Sequence, residues 1–173
     1  NNINAVYDKK LIKEDGIEKI ILEIKDGKID GINVTVPFKK KVISFLDIIT
    51  PLAKETQSVN TIYKKDGKVV GDNTDVGGFI NALEHIKYNV KGKKVLILGA
   101  GGVAPSIISA LNKMACSEII LSNRTKERAD NLKKIYQDLK IVNWGEQPDF
   151  DMIINATSLG LNEKDEIKIN YSN

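Results

Sequence analysis

The stretch Lys93-Lys-Val-Leu-Ile-Leu-Gly-Ala-Gly-Gly-Val-Ala104 decides the fold. Residues 95–98 form a short apolar run, the length expected of a strand that is buried on both faces. Glycines at 99, 101 and 102 follow directly, and residues 106–114 then carry apolar side chains at helical spacing. A strand, a glycine-rich turn and a helix in this order are typical of a dinucleotide-binding unit.

Each position of this turn has a predicted role. Gly99 permits the tight turn, Gly101 lets the backbone approach a pyrophosphate, and Ala104 is small enough for the helix to lie close to the strand. The N-terminus of the helix offers free N–H groups and a partial positive charge to the anion. An ordinary glycine-rich turn that binds nothing is the alternative. The candidate cofactor-binding residues are Gly99, Ala100, Gly101, Gly102, Val103 and Ala104.

Composition excludes several classes of function. The chain has 173 residues, of which 42% are hydrophobic and 28% charged, as in a globular protein. A net charge of +3 is too small to indicate nucleic acid as a partner. We find no apolar stretch long enough to cross a membrane and no signal peptide, and Cys116 is the only cysteine. These features lead us to expect a cytoplasmic protein that does not bind membranes.

Upstream of the glycine-rich turn, the sequence predicts a mixture of helices and strands. Isoleucines 17, 20, 21 and 24 are spaced as on an amphipathic helix, and Asp66-Gly67 is a strong hairpin signal. We expect strands at 5–7, 29–36, 59–63 and 68–70, and helices at 17–24, 39–47, 51–55 and 76–86.

Downstream of the turn, the pattern becomes β-α-β-α-β, which is half or more of a doubly wound parallel sheet. The predicted fold class is therefore α/β, with an N-terminal α/β substrate domain followed by a Rossmann-type domain. We place the boundary near residues 88–92, which gives domains at 1–88 and 89–173. The expected strands are 95–98, 119–121, 140–142 and 152–154, and the expected helices are 103–114 and 126–136.

Several polar clusters follow predicted strands or precede predicted helices. Residues 39–41 are three consecutive lysines, and the ordinary interpretation of such a charge run is that it faces solvent. Asn73 or Thr74 could cap the helix that follows, and this structural role alone would explain the polar residue there. His85, the only histidine, has no nearby cysteine or histidine, so we expect no metal site. The clusters are Gly31-Ile-Asn-Val-Thr-Val-Pro-Phe-Lys39, Ser58-Val-Asn-Thr61, Gly71-Asp-Asn-Thr-Asp75, Asn123-Arg-Thr125 and Asn155-Ala-Thr-Ser158.

Together with the glycine-rich turn, these clusters resemble shikimate dehydrogenase over nearly the whole chain. The resemblance implies an NADP-dependent oxidoreductase that reversibly reduces 3-dehydroshikimate to shikimate in aromatic amino-acid biosynthesis. It also implies an active site in the cleft between two domains. We expect a monomer or a homodimer. The family's N-terminal strand, the serine pair after it and the C-terminal helices have no counterpart here, so we expect the sequence to be truncated at both ends.

The resemblance implies roles for individual residues. Lys39 matches the catalytic lysine, and Asp75 matches the aspartate that is paired with it and that also contacts the substrate. Thr35 and Asn60 match further substrate contacts. The loop that holds the adenosine 2′-phosphate corresponds to Asn123, Arg124 and Thr125, with Arg128 nearby. Thr157 is assigned to the cofactor because ligands of open α/β sheets bind at the carboxyl ends of the strands.

The two arginines independently favour NADP over NAD. All 26 basic residues are lysines except Arg124 and Arg128. No acidic residue ends the second strand of the predicted Rossmann unit, where NAD-binding domains place Asp or Glu. A guanidinium suits a phosphate better than a lysine does. A quinate/shikimate dehydrogenase that uses NAD and a non-catalytic NADP-binding module remain the alternatives.

Overall fold

The computed structural model describes residues 4–160, in which a mixed four-stranded sheet is followed by a parallel four-stranded sheet. Two short 3₁₀ helices, at Glu14–Gly16 and Lys41–Phe45, accompany the regular elements. The α-helices are α1 (Ile17–Lys25), α2 (Pro51–Thr56), α3 (Asp75–His85), α4 (Ala104–Lys113) and α5 (Lys126–Ile135). The strands are β1 (Gly31–Asn33), β2 (Ile48–Ile49), β3 (Thr61–Lys65), β4 (Lys68–Asp72), β5 (Lys94–Leu98), β6 (Glu118–Ser122), β7 (Lys140–Val142) and β8 (Met152–Asn155).

The first sheet has the order β1-β3-β4-β2, in which only the β2–β4 pair is parallel. The predicted hairpin is present as β3 and β4. Asp66 and Gly67 connect the two strands with φ angles of 50° and 74°. Two successive left-handed residues match the right-handed twist of the flanking strands, which is why Asp-Gly predicts this turn well.

Helix α1 covers the first sheet and agrees with the predicted amphipathic pattern. The four isoleucines are all buried and pack with Ile62 and Val69 of the hairpin strands. Burial of each such aliphatic side chain contributes about 1.5–3 kcal/mol. Gly27, with φ of 74°, follows the helix, as expected of a residue that must adopt a left-handed conformation.

The segment between β1 and β2 differs from the prediction. A strand over 29–36 is wrong, because β1 ends at Asn33 and Val36 is 65% exposed. The chain turns there, and the Phe38 N–H donates to the Thr35 carbonyl at 3.0 Å. The predicted helix over 39–47 is only the 3₁₀ helix Lys41–Phe45. Only Val42 of this short helix is buried, so little apolar contact favours a longer one.

Residues 5–7 do not form the predicted strand. Val6 and Tyr7 are 88% and 76% exposed. Within residues 4–160, no strand pairs with this segment. Apolar runs become strands only when a neighbouring strand satisfies their backbone groups, and sequence alone does not supply that information.

The second sheet is entirely parallel and has the order β7-β6-β5-β8. This arrangement confirms the predicted Rossmann-type unit. Strand β5 is buried on both faces. Val95 and Ile97 pack on the side of α4 and α5, whereas Leu96 and Leu98 pack with Ile120 on the other side.

Helix α3 connects the two sheets physically as well as along the chain. Its first residue follows β4 closely, while Leu83, near its C-terminus, lies in the core of the parallel sheet with Val90 and Val95. Helices α3 and α4 pack against each other. The start of α3 therefore lies where both sheets contribute residues.

Candidate active site

Lys39 and Asp75 meet at the junction of the two sheets. The lysine follows the turn after β1, and the aspartate is the first residue of α3. Lys39 Nζ lies 2.7 Å from Asp75 Oδ2, and the two side chains are only 14% and 24% exposed. An acid and a base that are 36 positions apart in sequence thus form one partly shielded pair. A charge-assisted hydrogen bond of this kind is shorter and stronger than a neutral one.

Asn60 fixes the orientation of Asp75. Its amide donates to Asp75 Oδ1 at 2.8 Å and to Thr74 Oγ1 at 3.0 Å. Its carbonyl oxygen accepts from the Thr74 backbone N–H at 2.9 Å. Asn60 lies just before β3 and is 8% exposed. Both carboxylate oxygens of Asp75 consequently have a defined partner, one cationic and one neutral.

Two further polar residues, Asn33 and Thr61, extend this cluster, and neither has a role predicted from the sequence. Thr61 Oγ1 lies 3.1 Å from Asn60 Oδ1, and Asn33 Nδ2 donates to Thr61 at 3.4 Å. Both residues lie in motifs that carry the family resemblance, and this position in the sequence was the only indication of a functional role. Thr35, which was predicted to contact the substrate, is exposed, and within residues 4–160 its hydroxyl makes no hydrogen bond.

The glycine-rich turn lies against the segment that follows β8. Gly99 has a φ of 103°, and a Cβ built there would lie 2.7 Å from Thr157 Cγ2 and 3.0 Å from the Ala156 carbonyl carbon. Only glycine satisfies both constraints. Thr157 itself is held by Asn155, whose side-chain oxygen accepts from the Thr157 N–H at 2.9 Å and from its hydroxyl at 2.7 Å. Ala104 is fully buried at the start of α4.

The same turn also faces the lysine. A Cβ built on Gly102 would lie 3.5 Å from Val36 Cγ2 and 4.0 Å from Lys39 Cδ. The backbone of the turn, the start of α4 and the Lys39–Asp75 pair therefore lie close to one another. Gly101 is exposed beside them, with the Ala156 carbonyl oxygen 3.5 Å from its hypothetical Cβ.

Asn123 connects the turn to the loop after β6. Its side-chain carbonyl accepts from the Ala100 N–H at 2.9 Å, and its amide donates to the Thr125 carbonyl at 2.7 Å. The loop continues into α5, whose N-terminal N–H groups favour an anion. Arg124 and Arg128 are both exposed here, and the Arg128 N–H donates to Thr125 at 3.1 Å.

A groove of about 380 Å³ opens beside this loop. Arg124 and Asn123 line it, whereas Arg128 and Thr125 are not among its lining residues. Lys126 and the segment after β7 also line the groove, and neither was predicted from the sequence. The complete lining is Asn123, Arg124, Lys126, Ala129, Asp130, Ile141, Val142, Asn143, Trp144 and Glu146.

The part of the chain that the structure describes contains neither a cluster suited to a metal ion nor a helix suited to a membrane. No three His, Cys, Asp or Glu side chains in residues 4–160 are grouped so as to hold a metal ion. No helix within the same residues has the length and apolar character needed to span a bilayer.

The fold and this group of residues define a two-unit α/β protein, in which a Rossmann-type sheet follows a mixed sheet and a Lys–Asp pair lies at their junction. The shikimate dehydrogenase substrate binding domain family matches residues 1–62, and the shikimate/quinate 5-dehydrogenase family matches residues 81–160. The chain therefore belongs to the shikimate dehydrogenase family.

Relatives and solved structures agree with this assignment. The chain is 57% identical over 169 residues to a shikimate dehydrogenase (NADP(+)) of Pelagibacter ubique, covering 98% of this chain and 64% of that protein. A crystal structure of shikimate dehydrogenase from Aquifex aeolicus is 39% identical with a TM-score of 0.83, over 92% of this chain and 60% of that one. The Thermus thermophilus enzyme in complex with NADP(H) and shikimate is 31% identical with a TM-score of 0.77, over 85% and 55%. The chain spans 60–64% of the length of the first curated relatives that it matches.

Proposed function

We propose that the protein is an NADP-dependent shikimate dehydrogenase, an oxidoreductase that reversibly reduces 3-dehydroshikimate to shikimate in the shikimate pathway. The observation that carries the proposal is the Lys39–Asp75 pair, 2.7 Å apart, beside the glycine-rich turn. Relatives that bear this name and a solved complex with NADP(H) and shikimate support it. Residues 1–88 form the substrate domain and residues 89–173 the cofactor domain. The protein works in the cytoplasm as a monomer or a homodimer.

The Lys39–Asp75 pair and the residues around it suit the reduction of a ketone to an alcohol. Lys39 Nζ carries the proton that the substrate oxygen needs as negative charge develops on it, and the ammonium group stabilises that charge. Asp75 holds the lysine in position and accepts a hydrogen bond from a substrate hydroxyl. Asn60 keeps the carboxylate in that orientation through its 2.8 Å bond. Thr35, exposed at the turn after β1, is proposed as a further substrate contact.

The glycine-rich turn and the loop after β6 fit a dinucleotide phosphate. The turn lacks side chains where a Cβ would collide with the segment after β8 or approach Lys39. The proposed cofactor residues continue into the loop, where Arg124 at the groove provides a planar donor group for a 2′-phosphate, assisted by Asn123, Thr125 and Arg128. Thr157 completes the other wall. When bound, NADPH supplies the hydride.

An absorbance assay of NADP+ reduction by the purified chain with shikimate tests the proposal. We expect shikimate-dependent reduction with NADP+ and much slower reduction with NAD+. Quinate in place of shikimate separates the two dehydrogenase classes, and quenching of NADPH fluorescence on adding shikimate reports binding without turnover. Tight NADPH binding with neither turnover nor any response to shikimate would instead identify a cofactor-binding module.

A further inference from the structure

A buried amide, Asn73, lies between the start of α3 and helix α4. It belongs to a motif of the family resemblance, but neither the roles implied by that resemblance nor the proposed chemistry includes it. Asn73 is 2% exposed. Its side-chain oxygen accepts from the Val76 N–H at 3.2 Å and so caps the first turn of α3. Asp75 is the first residue of that turn. The position of the aspartate therefore depends on where this amide is held.

Three acceptors surround the two N–H groups of the same amide. Asn73 Nδ2 lies 2.8 Å from the Ser58 carbonyl, 3.0 Å from Ser106 Oγ and 3.2 Å from Thr56 Oγ1. Thr56 is the last residue of α2, and Ser58 lies in the segment between α2 and β3. Ser106, which is 1% exposed, belongs to the first turns of α4, directly after the glycine-rich turn. The Asn73 side chain thus connects helix α4 to the segment that precedes β3.

Ser106 is part of a polar face of α4 that contacts the first half of the chain. Ser109 and Lys113 lie three and seven positions further on, which places all three on one side of the helix. Ser109 Oγ donates to Glu55 Oε1 at 2.5 Å, and Lys113 Nζ lies 3.0 Å from Glu55 Oε2. Of these three residues, only Ser106 contacts the amide that caps α3.

We propose that Asn73 is a positioning residue, held by Ser106, that aligns Asp75 and hence the Lys39–Asp75 pair with the glycine-rich turn. The inference rests on the proposed function for its catalytic consequence, although the coupling of α4 to the first turn of α3 stands on geometry alone. In an enzyme of this design, a small displacement of the pair relative to the cofactor lowers turnover strongly, because reacting atoms must be held in register.

The test compares two serine-to-alanine variants on the same helix face. Ser106→Ala removes the contact to Asn73 but leaves the Ser58 contact and the cap. Ser109→Ala is the matched control, because Ser109 is as buried as Ser106 and its loss removes a contact between α4 and the first half of the chain without touching Asn73. Hydrogen exchange of the Val76 amide is measured in the unliganded proteins, and kcat and KM are measured with shikimate and NADP+.

We expect Ser106→Ala to accelerate Val76 exchange about fivefold, the effect of one hydrogen bond, and to lower kcat at least fivefold with both KM values changed less than about twofold. Ser109→Ala should leave the Val76 amide and kcat within about twofold of the parent. Equal effects of the two variants, on exchange or on kcat, would overturn the positioning role. If the parent chain shows no turnover, the proposed function fails, and the exchange comparison still decides the coupling.

Discussion

Among the single residues, Lys39 has an environment that its local sequence does not predict. From the segment alone, three consecutive lysines indicate a solvated charge run. The structure buries most of the Lys39 side chain against Asp75, while Lys40 is exposed. Local spacing does not relate two residues that are 36 positions apart, so their pairing was predictable only through the resemblance of whole motifs.

Replacement of Lys39 by alanine should lower kcat by about 10²-fold or more, the scale of a lost general acid. Binding of shikimate should weaken much less, because Asp75 and Asn60 remain. Steady-state kinetics of Lys39→Ala and of Lys40→Ala provide the measurement and its control. A Lys39→Ala variant whose kcat falls less than about threefold, far less than the loss of a general acid causes, would show that another group supplies the proton.

Arg124→Ala should raise KM for NADP+ about tenfold or more and leave KM for NAD+ nearly unchanged, because charge-assisted hydrogen bonds to a phosphate contribute about 1.5–3 kcal/mol each. The groove distinguishes the two arginines in a way that the sequence did not, since Arg124 lines it and Arg128 does not. Arg128→Ala should therefore have the smaller effect. Equal losses with both cofactors would mean that Arg124 supports the fold instead of recognising the phosphate.

At the scale of elements, local signals predicted most of the structure. The Asp66-Gly67 hairpin and the strand–turn–helix around Gly99 carry their own backbone requirements in their residues. The strand expected at 5–7 and the helix expected at 39–47 failed, because both depend on partners that the sequence does not name. The Asn73–Ser106 contact was missed as well, since a serine inside a helix gives no sign of what it faces.

Gly99→Ala should reduce the free energy of unfolding by about 1–3 kcal/mol, since the new Cβ meets Thr157 at 2.7 Å and L residues rarely adopt this φ. Gly78→Ala is the matched control within α3, where a Cβ meets nothing within 4 Å. That control should stabilise the protein by about 0.4–1 kcal/mol. Urea unfolding measures both variants, and a Gly99→Ala protein as stable as the parent would refute the close approach of Ala156 and Thr157 to the turn.

For the whole molecule, the contact between α2 and α4 should make stability depend on pH. Burial raises the pKa of Glu55, but hydrogen bonds from Ser109 and Lys113 outweigh it and hold the pKa below its ordinary value of 4.5. A carboxyl group whose pKa is depressed by folding stabilises the protein fully above its unfolded pKa, and that contribution is lost as the pH falls through the folded pKa.

The stability difference between the parent and Glu55→Gln should accordingly be largest near neutral pH and shrink below about pH 4.5. Urea unfolding of both proteins across that range measures the difference. The lysine partner is itself 45% exposed, so salt should reduce the effect at neutral pH. A difference that grows on acidification would contradict the assigned direction of the pKa shift.

Helix α4 also determines where this chain tolerates changes of length. Each residue of an α-helix turns the chain by about 100°, so one inserted residue between Ser106 and Ser109 would rotate Lys113 away from Glu55 and swing the buried side of the helix toward solvent. The hairpin turn at Asp66 and Gly67 has no such constraint, because a Cβ on Gly67 meets nothing within 4 Å. In descendants of this sequence, insertions should therefore accumulate at the hairpin, while α4 varies by substitution alone.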